Sequence, residues 1–239
     1  MDSKATKYQD VIAQANILTS AKKNLNRSQR RIFYICLRDT YQQSWPDGGR
    51  FKICPRQYSD LFDLSLHEAR EDIRNGIKEF NKGSSVTFTD DKEVPNDIVD
   101  VSIPWLSIIK HYRKRGDYTV GINSELRKYI EPMAHDLSYS LLQEDELFKL
   151  KNEYAMCLYE NLCRFRNTGI YTIKHEDIVN NWGVPKSYQK NNSLLRLNVV
   201  DKAVNEISKV STQIKGLKAF EKKGVRGKIE RYDFTFSTF

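Results

Sequence analysis

Side chains that can contact nucleic acid are concentrated in two runs near the end of the chain. The first run comprises Lys186, Ser187, Tyr188, Gln189, Lys190, Asn191, Asn192 and Ser193. It leads into a predicted helix that shows Arg196 and Asn198 in its first turns. Asparagine and glutamine can each form two hydrogen bonds with adenine, and arginine with guanine, at the major-groove edge of a base pair. This run therefore predicts readout of base sequence.

The second run indicates contact with a phosphate backbone. Its cations are Lys222, Lys223, Arg226 and Lys228, and two glycines interrupt them. Cations bind phosphates regardless of base sequence, and glycines let a turn approach a strand closely. We predict that this run forms a hairpin tip that lies against a sugar-phosphate strand. The alternative for both runs is an ordinary polar surface that binds nothing.

Cysteine and histidine are too scattered for the common redox and metal sites. The four cysteines contain no CxxC pair, and the four histidines contain no HExxH or HxH motif. These patterns exclude a zinc knuckle, a thioredoxin-type motif, the usual metallohydrolases and the two-histidine site of relaxase-type nicking enzymes. None of the 13 tyrosines has a recognisable catalytic setting. We expect no catalytic residue, no metal and no cofactor.

The charge of the chain is unevenly distributed. Residues 1–148 hold 22 basic and 22 acidic side chains, whereas residues 149–239 hold 17 basic and 9 acidic ones, which accounts for the whole net charge of +8. A neutral half joined to a basic half indicates that the C-terminal part provides most of the binding to an acidic polymer. A basic tail that only raises solubility is the alternative.

The hydrophobic content narrows the class of protein. Hydrophobic residues make up 39% of the 239 residues, with 13 Tyr and 11 Phe, which is enough for a folded core. No run approaches the roughly 18 apolar residues that span a bilayer, and the first residues, MDSKATKYQD, are too polar for a secretion signal. We therefore expect a cytoplasmic protein with reduced cysteines and no membrane partner.

Two stretches of the sequence resemble each other at an offset of 120 residues. RFKICPRQYSDLFDLS begins at Arg50, and IYTIKHEDIVNNWGVP begins at Ile170. Each predicts a short alternating strand, a helix of about two turns and a tight turn. The aligned hydrophobic residues are Phe51 with Tyr171, Ile53 with Ile173, Tyr58 with Ile178, Phe62 with Trp182, and Leu64 with Val184.

The elements around each copy also correspond. An amphipathic helix precedes each copy, and Asn26 with Gln29 is placed to cap the first. A second helix follows, opened in the first copy by a capping box at Ser65 and Glu68. Its apolar stripe is Ala69, Ile73, Ile77 and Phe80 in the first copy, and Leu197, Val200, Val204 and Ile207 in the second. A strand pair then closes each unit, at 85–89 with 99–103 and at 214–220 with 229–236.

This order of elements is that of a winged helix, and it occurs twice. We therefore predict an α+β fold of two tandem winged-helix domains, residues 1–140 and 141–239. The polar segment 132–150 is expected to hold the linker. A chance match of two hydrophobic patterns is the alternative, but the agreement extends over several successive elements.

The N-terminal winged helix has the weaker charge pattern. Arg70, Arg74 and Lys78 alternate with acidic residues on one helix, and the predicted hairpin tip, Asp90-Asp91-Lys92-Glu93, is acidic. We predict auxiliary backbone contacts here, from Arg27, Ser65, Arg70 and Arg74. This domain is expected to be the weaker DNA binder or to be partly given over to protein contact. Between the two units, residues 111–116 form a basic turn before another strand.

Several phrases of the sequence resemble iteron-binding plasmid replication initiators. They are NEYAMCLYENLCRFR, the turn WGVPKSYQK, AVNEIS and the closing basic hairpin, together with QANILTSAKKNLNRSQRRIFY in the N-terminal half. The likeness covers Ala13 to Phe236 and is strongest to the F-plasmid branch of that family.

The resemblance implies a set of partners. In that family a monomer binds direct repeats, called iterons, in the double-stranded DNA of a plasmid origin. It helps to open the adjacent AT-rich duplex and recruits host replication proteins such as the host initiator and helicase. A homodimer, joined mainly through the N-terminal domain, binds an inverted repeat at its own promoter and represses it.

The resemblance also bears on the residues that read bases. By position, Lys190 and Arg196 match two base-reading cations of the F-plasmid branch. Leu197 and Asn198 stand where two further arginines are expected, so the resemblance implies a different iteron sequence.

Two other functions share part of this pattern. A transcriptional repressor with tandem winged helices would have the same DNA-binding features without initiator activity. It differs from an initiator in whether origin DNA is opened and whether a plasmid depends on the protein. A tyrosine-dependent nicking replicase would need the histidine pair that the sequence lacks.

Overall fold

The computed structural model describes residues 11–90 and 98–238, and the chain divides into two compact units after Phe148. The sequence placed this boundary after residue 140, which would cut the strand Tyr139–Gln143. That strand pairs antiparallel with Val11–Ala15 at the start of the first unit and therefore belongs to it. The segment 132–150, expected to hold the linker, instead contains this strand and the helix Glu144–Lys149.

The first unit begins and ends in one two-stranded sheet. Its strands are β1 (Val11–Ala15), β2 (Arg50–Ile53), β3 (Ser85–Asp90), β4 (Val99–Pro104), β5 (Leu106–Tyr112), β6 (Asp117–Ile122) and β7 (Tyr139–Gln143). Its helices are α1 (Asn16–Ser20), α2 (Arg27–Gln43), α3 (Pro55–Phe62), α4 (Leu66–Phe80), α5 (Arg127–Ile130) and, at the boundary, α6 (Glu144–Lys149). Short 3₁₀ turns lie at Asp47–Gly49, Ser124–Leu126 and Pro132–His135.

Both predicted capping boxes are confirmed. The Asn26 side chain accepts from the backbone N–H of Gln29, whose side chain accepts from the backbone N–H of Asn26. Ser65 and Glu68 make the same reciprocal pair at the start of α4. Each box satisfies N–H groups that a helix start leaves without an intrahelical partner, so these residues determine where α2 and α4 begin.

Sheet pairing in the first unit differs from the expected order. The strand pair 85–89 and 99–103 forms as β3 and β4, but in a two-stranded sheet of its own. β2 pairs instead with β6, in the sheet order β2-β6-β5. In a winged helix the hairpin that joins the first strand is the wing, so hairpin β5–β6 takes that place here.

The second unit has the expected winged-helix order. Its strands are β8 (Ile170–Lys174), β9 (Ile214–Lys223) and β10 (Ile229–Thr238), in the sheet order β8-β10-β9. Its helices are α7 (Glu153–Arg164), α8 (His175–Asn181), α9 (Lys186–Gln189), α10 (Asn192–Leu195), a π-helical segment (Arg196–Asp201) and α11 (Lys202–Val210). The last three are contiguous and form one long helix, residues 192–210. The chain thus has an α+β fold of two tandem winged helices.

The long helix has a different buried stripe from the one predicted. Ala69, Ile73, Ile77 and Phe80 of α4 are buried as expected. In the long helix the buried residues are Leu195, Val199, Val200, Ala203 and Ile207, whereas Leu197 is 59% exposed. A π-helical turn contains more residues than an α-helical turn. The helix therefore keeps a buried residue at every fourth position from Leu195 to Ile207. The prediction that Leu197 packs in the core was wrong for that reason.

A buried carboxylate connects the three helices of the first winged helix. Asp72 of α4 accepts from the Ser28 hydroxyl and from Arg31 Nη1 at 2.8 Å, both on α2. It also accepts from the Tyr58 hydroxyl of α3 at 2.7 Å. The Arg31 side chain is only 2% exposed, and Gly76 lets α4 approach α2 because a Cβ there would lie 2.8 Å from Ile32 Cδ1.

The environment of Asp72 favours its charged form. Burial alone raises the pKa of a carboxyl, but the hydrogen bonds from Ser28, Arg31 and Tyr58 outweigh burial and lower the pKa of Asp72. Burial, with Asp72 beside it, raises the pKa of Tyr58, which therefore remains a hydrogen-bond donor. Asp72 is one of the acids that alternate with the cations of α4 in the sequence, and in the fold it is buried because it faces α2.

We expect Asp72→Asn to lower the free energy of unfolding of the first unit by about 3–5 kcal/mol, because it leaves Arg31 as a buried charge without its partner. Urea denaturation followed by tryptophan fluorescence in a Trp182→Phe background measures this loss, because the remaining tryptophans, Trp45 and Trp105, both lie in the first unit. Glu71→Gln on the exposed side of the same helix is the matched control and should cost less than about 0.5 kcal/mol.

The stability difference between the original chain and Asp72→Asn should also depend on pH, in a direction that follows from the lowered pKa of Asp72. A carboxyl whose folded-state pKa is lowered contributes stability above its unfolded pKa and loses it as pH falls through the folded value. The stability difference between the original chain and Asp72→Asn should therefore narrow on acidification. A difference that stays constant down to the folded-state pKa would contradict this assignment.

Candidate nucleic-acid interface

Most of the polar run found in the sequence is exposed, in α9 and at the start of the long helix. Lys186, Ser187, Lys190 and Asn192 are exposed, and Tyr188 is half-buried. Two amides of the run are engaged by the chain itself. The Asn191 side chain accepts from the backbone N–H of Leu194 at 3.0 Å and so caps the helix, and Gln189 Nε2 donates to the Val184 carbonyl at 2.7 Å.

Arg196, predicted to read bases, connects the long helix to the hairpin β9–β10. Its Nε donates to Asp201 Oδ1 at 2.6 Å, and its Nη2 donates to the Ala219 carbonyl of β9 at 3.1 Å. Its guanidinium also lies 5.8 Å from the ring centroid of Tyr232 on β10 and 3.9 Å from Glu221. With its donors directed at its own chain, Arg196 sets the position of the hairpin relative to the helix.

The two aromatic groups near Arg196, Tyr232 and His175, are neutral at pH 7. Burial lowers the pKa of His175, whose ring stacks on that of Tyr232 at 6.3 Å between centroids. Burial also raises the pKa of Tyr232 to about 12. The positive charge of this surface therefore comes from its lysines and arginines.

The hairpin β9–β10 ends in a tight basic tip. Gly224 N donates to the Lys228 carbonyl at 2.8 Å, and Gly227 adopts a left-handed φ of +71° that favours glycine. Lys222, Lys223 and Lys228 are exposed, and the Arg226 side chain lies outside the described part of the chain. This tip has the charge and the small residues that a contact with a sugar-phosphate strand requires.

An open hollow lies where the long helix meets this hairpin. Its volume is about 460 Å³, and its lining includes Asn192, Ser193 and Leu197 from the helix and Lys223 and Gly227 from the hairpin. Asn198, also predicted as a contact residue, is half-buried on the next position of the helix. The surface combines amide, hydroxyl, aliphatic and ammonium groups, which can contact base edges and phosphates. Its two carboxylates, Asp201 and Glu221, lie beside the guanidinium of Arg196.

In the first unit, the residues predicted to contact the backbone are only partly available. Arg70 and Arg74 are exposed on α4, whereas the Ser65 side chain is engaged in the capping box. Arg27 lies 3.5 Å from Asp72, with its side chain about half exposed. Residues 91–93 of the predicted acidic tip lie outside the described residues, as does the side chain of Asp90.

The first unit has a basic hairpin that the sequence pattern did not predict. The turn between β5 and β6 exposes Arg113, Lys114 and Arg115 and contains Gly116 at a φ of +77°. The guanidinium of Arg115 lies 4.9 Å from the ring centroid of Tyr112. This turn was noted as basic but was placed between the units, because the pairing of β2 with β6 joins residues too distant in sequence for a local pattern to reveal.

Other kinds of site have little support. Among residues 11–90 and 98–238, no group of three or more His, Cys, Asp or Glu side chains could hold a metal ion. In the same residues, no helix combines the length and apolar character needed to cross a bilayer.

Two winged helices with basic hairpins define the chain as a tandem winged-helix protein. Residues 11–163 match the family model described as initiator replication protein, WH1. That match spans more than half of the chain, and the chain belongs to the initiator replication protein family.

Individual proteins resemble the chain in sequence or in fold. An uncharacterized 27.6 kDa protein of Escherichia coli is 26% identical over 208 residues, covering 82% of this chain and 84% of the relative. The crystal structure of the Pi initiator protein in complex with iteron DNA superposes with a TM-score of 0.76 at 18% identity, covering 97% of this chain and 98% of that one. Domains 2 and 3 of RctB give a TM-score of 0.51 at 10% identity, covering 94% and 85%.

Arg196→Ala should loosen the hairpin β9–β10. We expect the free energy of unfolding to fall by about 1–2 kcal/mol, because two hydrogen bonds from a partly exposed charged group are removed. Amide hydrogen exchange in residues 219–230 should become faster. Arg231→Ala, which removes an exposed pair with Asp233 on the same hairpin, is the control and should leave that exchange nearly unchanged. Equal effects of the two substitutions would contradict the role given to Arg196.

Proposed function

We propose that the chain is a plasmid replication initiator that binds double-stranded DNA at repeated sites in an origin through both winged helices. The observation that carries this proposal is the exposed basic surface where the long helix meets the hairpin β9–β10. Membership of the initiator replication protein family supports it. The similarity in fold to the Pi initiator, whose crystal structure contains iteron DNA, supports it further.

The second unit is proposed to read sequence. In a helix-turn-helix the second helix lies in the major groove, and the residues at its start reach base edges. Here that helix is residues 192–210. Asn192 is exposed at its first position, and Lys186 and Lys190 are exposed in the segment just before it. Lys222, Lys223 and Lys228 at the hairpin tip bind phosphates on the same duplex. The net charge of this half, +8, favours any duplex and therefore adds affinity without specificity.

The first unit is proposed to bind the backbone through its own basic hairpin. Arg113, Lys114 and Arg115 occupy the place that Lys222 to Lys228 hold in the second unit, because β5–β6 and β9–β10 have the same position in their sheets. Arg70 and Arg74 on α4 add further cations. These contacts position the protein on the duplex and carry no base readout.

The family resemblance supplies the rest of the proposal. A monomer binds direct repeats, promotes opening of the adjacent duplex and recruits the host initiator and helicase, all without enzymatic activity. A homodimer joined through the first unit binds an inverted operator repeat and represses its own gene. We place the protein in the bacterial cytoplasm, associated with plasmid DNA.

Replication tests this proposal against a repressor that lacks initiator activity. A plasmid carrying the DNA around the gene, with the gene itself deleted, should replicate only when the chain is supplied in trans. Permanganate should detect unpaired thymines in an AT-rich tract beside the repeats. The Lys186→Ala, Lys190→Ala double variant is the control and should fail in both assays. Repeat binding without duplex opening would favour the repressor, and DNA covalently linked to the protein would favour a nicking enzyme.

Salt dependence tests the two hairpins separately. Replacing Lys222 and Lys223 by Ala should weaken binding to every duplex and reduce the slope of log K against log salt by up to about 0.9 for each phosphate that is no longer neutralised. Replacing Arg113, Lys114 and Arg115 by Ala should reduce the slope in the same way. Fluorescence anisotropy between about 50 and 200 mM salt is the measurement.

The charge control for this titration is Lys209→Ala. Lys209 is exposed in the last turn of α11, at the far end of the long helix from its proposed base contacts. Its removal lowers the net charge by one without touching either hairpin. If the hairpin variants changed the slope no more than this control does for each charge removed, the hairpins would not contact the backbone.

A further inference from the structure

Leu197 is an aliphatic side chain on the outward face of the long helix. It lies midway between Leu195 and Val199, both fully buried, so it points away from the core. It is 59% exposed, more than the other leucines of this helix, Leu194 and Leu195. Burial of its apolar surface against an apolar group of a partner would be favourable.

The neighbours of Leu197 indicate duplex DNA as that partner. Leu197 lines the hollow that also contains Asn192, Ser193 and Lys223. Two carboxylates of the hollow, Asp201 and Glu221, are paired with Arg196. Lys190, just before the helix, is exposed. An anionic duplex fits these lysines, and the helix that carries Leu197 is the one proposed to enter the major groove. The inference therefore rests on the proposed function.

The major groove offers one apolar group that Leu197 can contact. A base pair displays hydrogen-bond donors and acceptors there, and its only apolar group is the C5-methyl of thymine. Leucine can neither donate nor accept, so it gains free energy in the groove only by covering that methyl. We propose that Leu197 reads one thymine of the binding site through its methyl group.

The probe for this proposal is a duplex selected by the chain itself. A randomised duplex library, enriched by repeated binding to the full chain, provides the preferred site. Each thymine of that site is then replaced singly by deoxyuridine, which removes the methyl and leaves the hydrogen-bonding groups unchanged. One position should fall about fourfold in affinity, the amount expected for one buried methyl-sized group.

Substitution of Leu197 assigns that position. Leu197→Ala should bind the selected duplex less tightly, by a similar factor, and should no longer respond to deoxyuridine at that one thymine. The two changes are then coupled in a double-mutant cycle. Leu194→Ala removes a neighbouring leucine, also partly exposed at 38%, and should keep the deoxyuridine response at the thymine assigned to Leu197.

The outcomes separate this inference from the proposed function. If the library yields no preferred site, sequence-specific DNA binding fails and the role of Leu197 fails with it. If a site emerges but Leu197→Ala keeps every deoxyuridine response of the original chain, the thymine assignment alone is overturned. Unchanged DNA affinity together with altered sedimentation of Leu197→Ala would place Leu197 in a contact between protein chains instead.

Discussion

The guanidinium of Arg196 holds the long helix and the hairpin β9–β10 of the second unit in one arrangement. It joins the π-helical segment to β9 through the Ala219 carbonyl and to its own helix through Asp201. A helix in the major groove and a hairpin on the backbone can act together only if the distance between them matches the duplex. The arginine that the sequence resemblance matches to a base-reading cation therefore has a structural task, the positioning of the hairpin relative to the helix.

The two winged helices share an order of elements but are stabilised differently. The first depends on a buried carboxylate, Asp72, with hydrogen-bond donors from α2 and α3. In the second, α8 packs beside the sheet through Ile178, and the ring of His175 stacks on Tyr232. A buried ion pair tolerates few substitutions, because removal of either partner leaves an uncompensated charge. The ion pair of Asp72 and Arg31 therefore leaves the first unit little tolerance for substitution there, although the net charge of that unit is zero and that of the second is +8.

Local patterns in the sequence were sufficient to predict much of the fold. Capping residues such as Asn26 and Ser65 act over three positions, and the stripes of α4 and β10 repeat with the period of their element, so a single sequence reveals them. The register of the long helix could not be read this way, because a π-helical turn shifts the period and moved Leu197 from the core to the surface. Pairing of β2 with β6 was also hidden, since nothing near either strand specifies its partner. The basic hairpin at Arg113 was consequently assigned no role.

The pairing of β1 with β7 affects how the first unit folds while the chain is being synthesised. Val11 lies opposite Gln143, so all five residues of β1, which are buried in the finished fold, have no partner strand until β7 has been synthesised. At bacterial rates of translation that interval is on the order of ten seconds. A nascent apolar strand without a partner is a site for mispairing and for chaperone binding. The sheet of the second unit joins residues closer in sequence, and its folding is therefore less exposed to this delay.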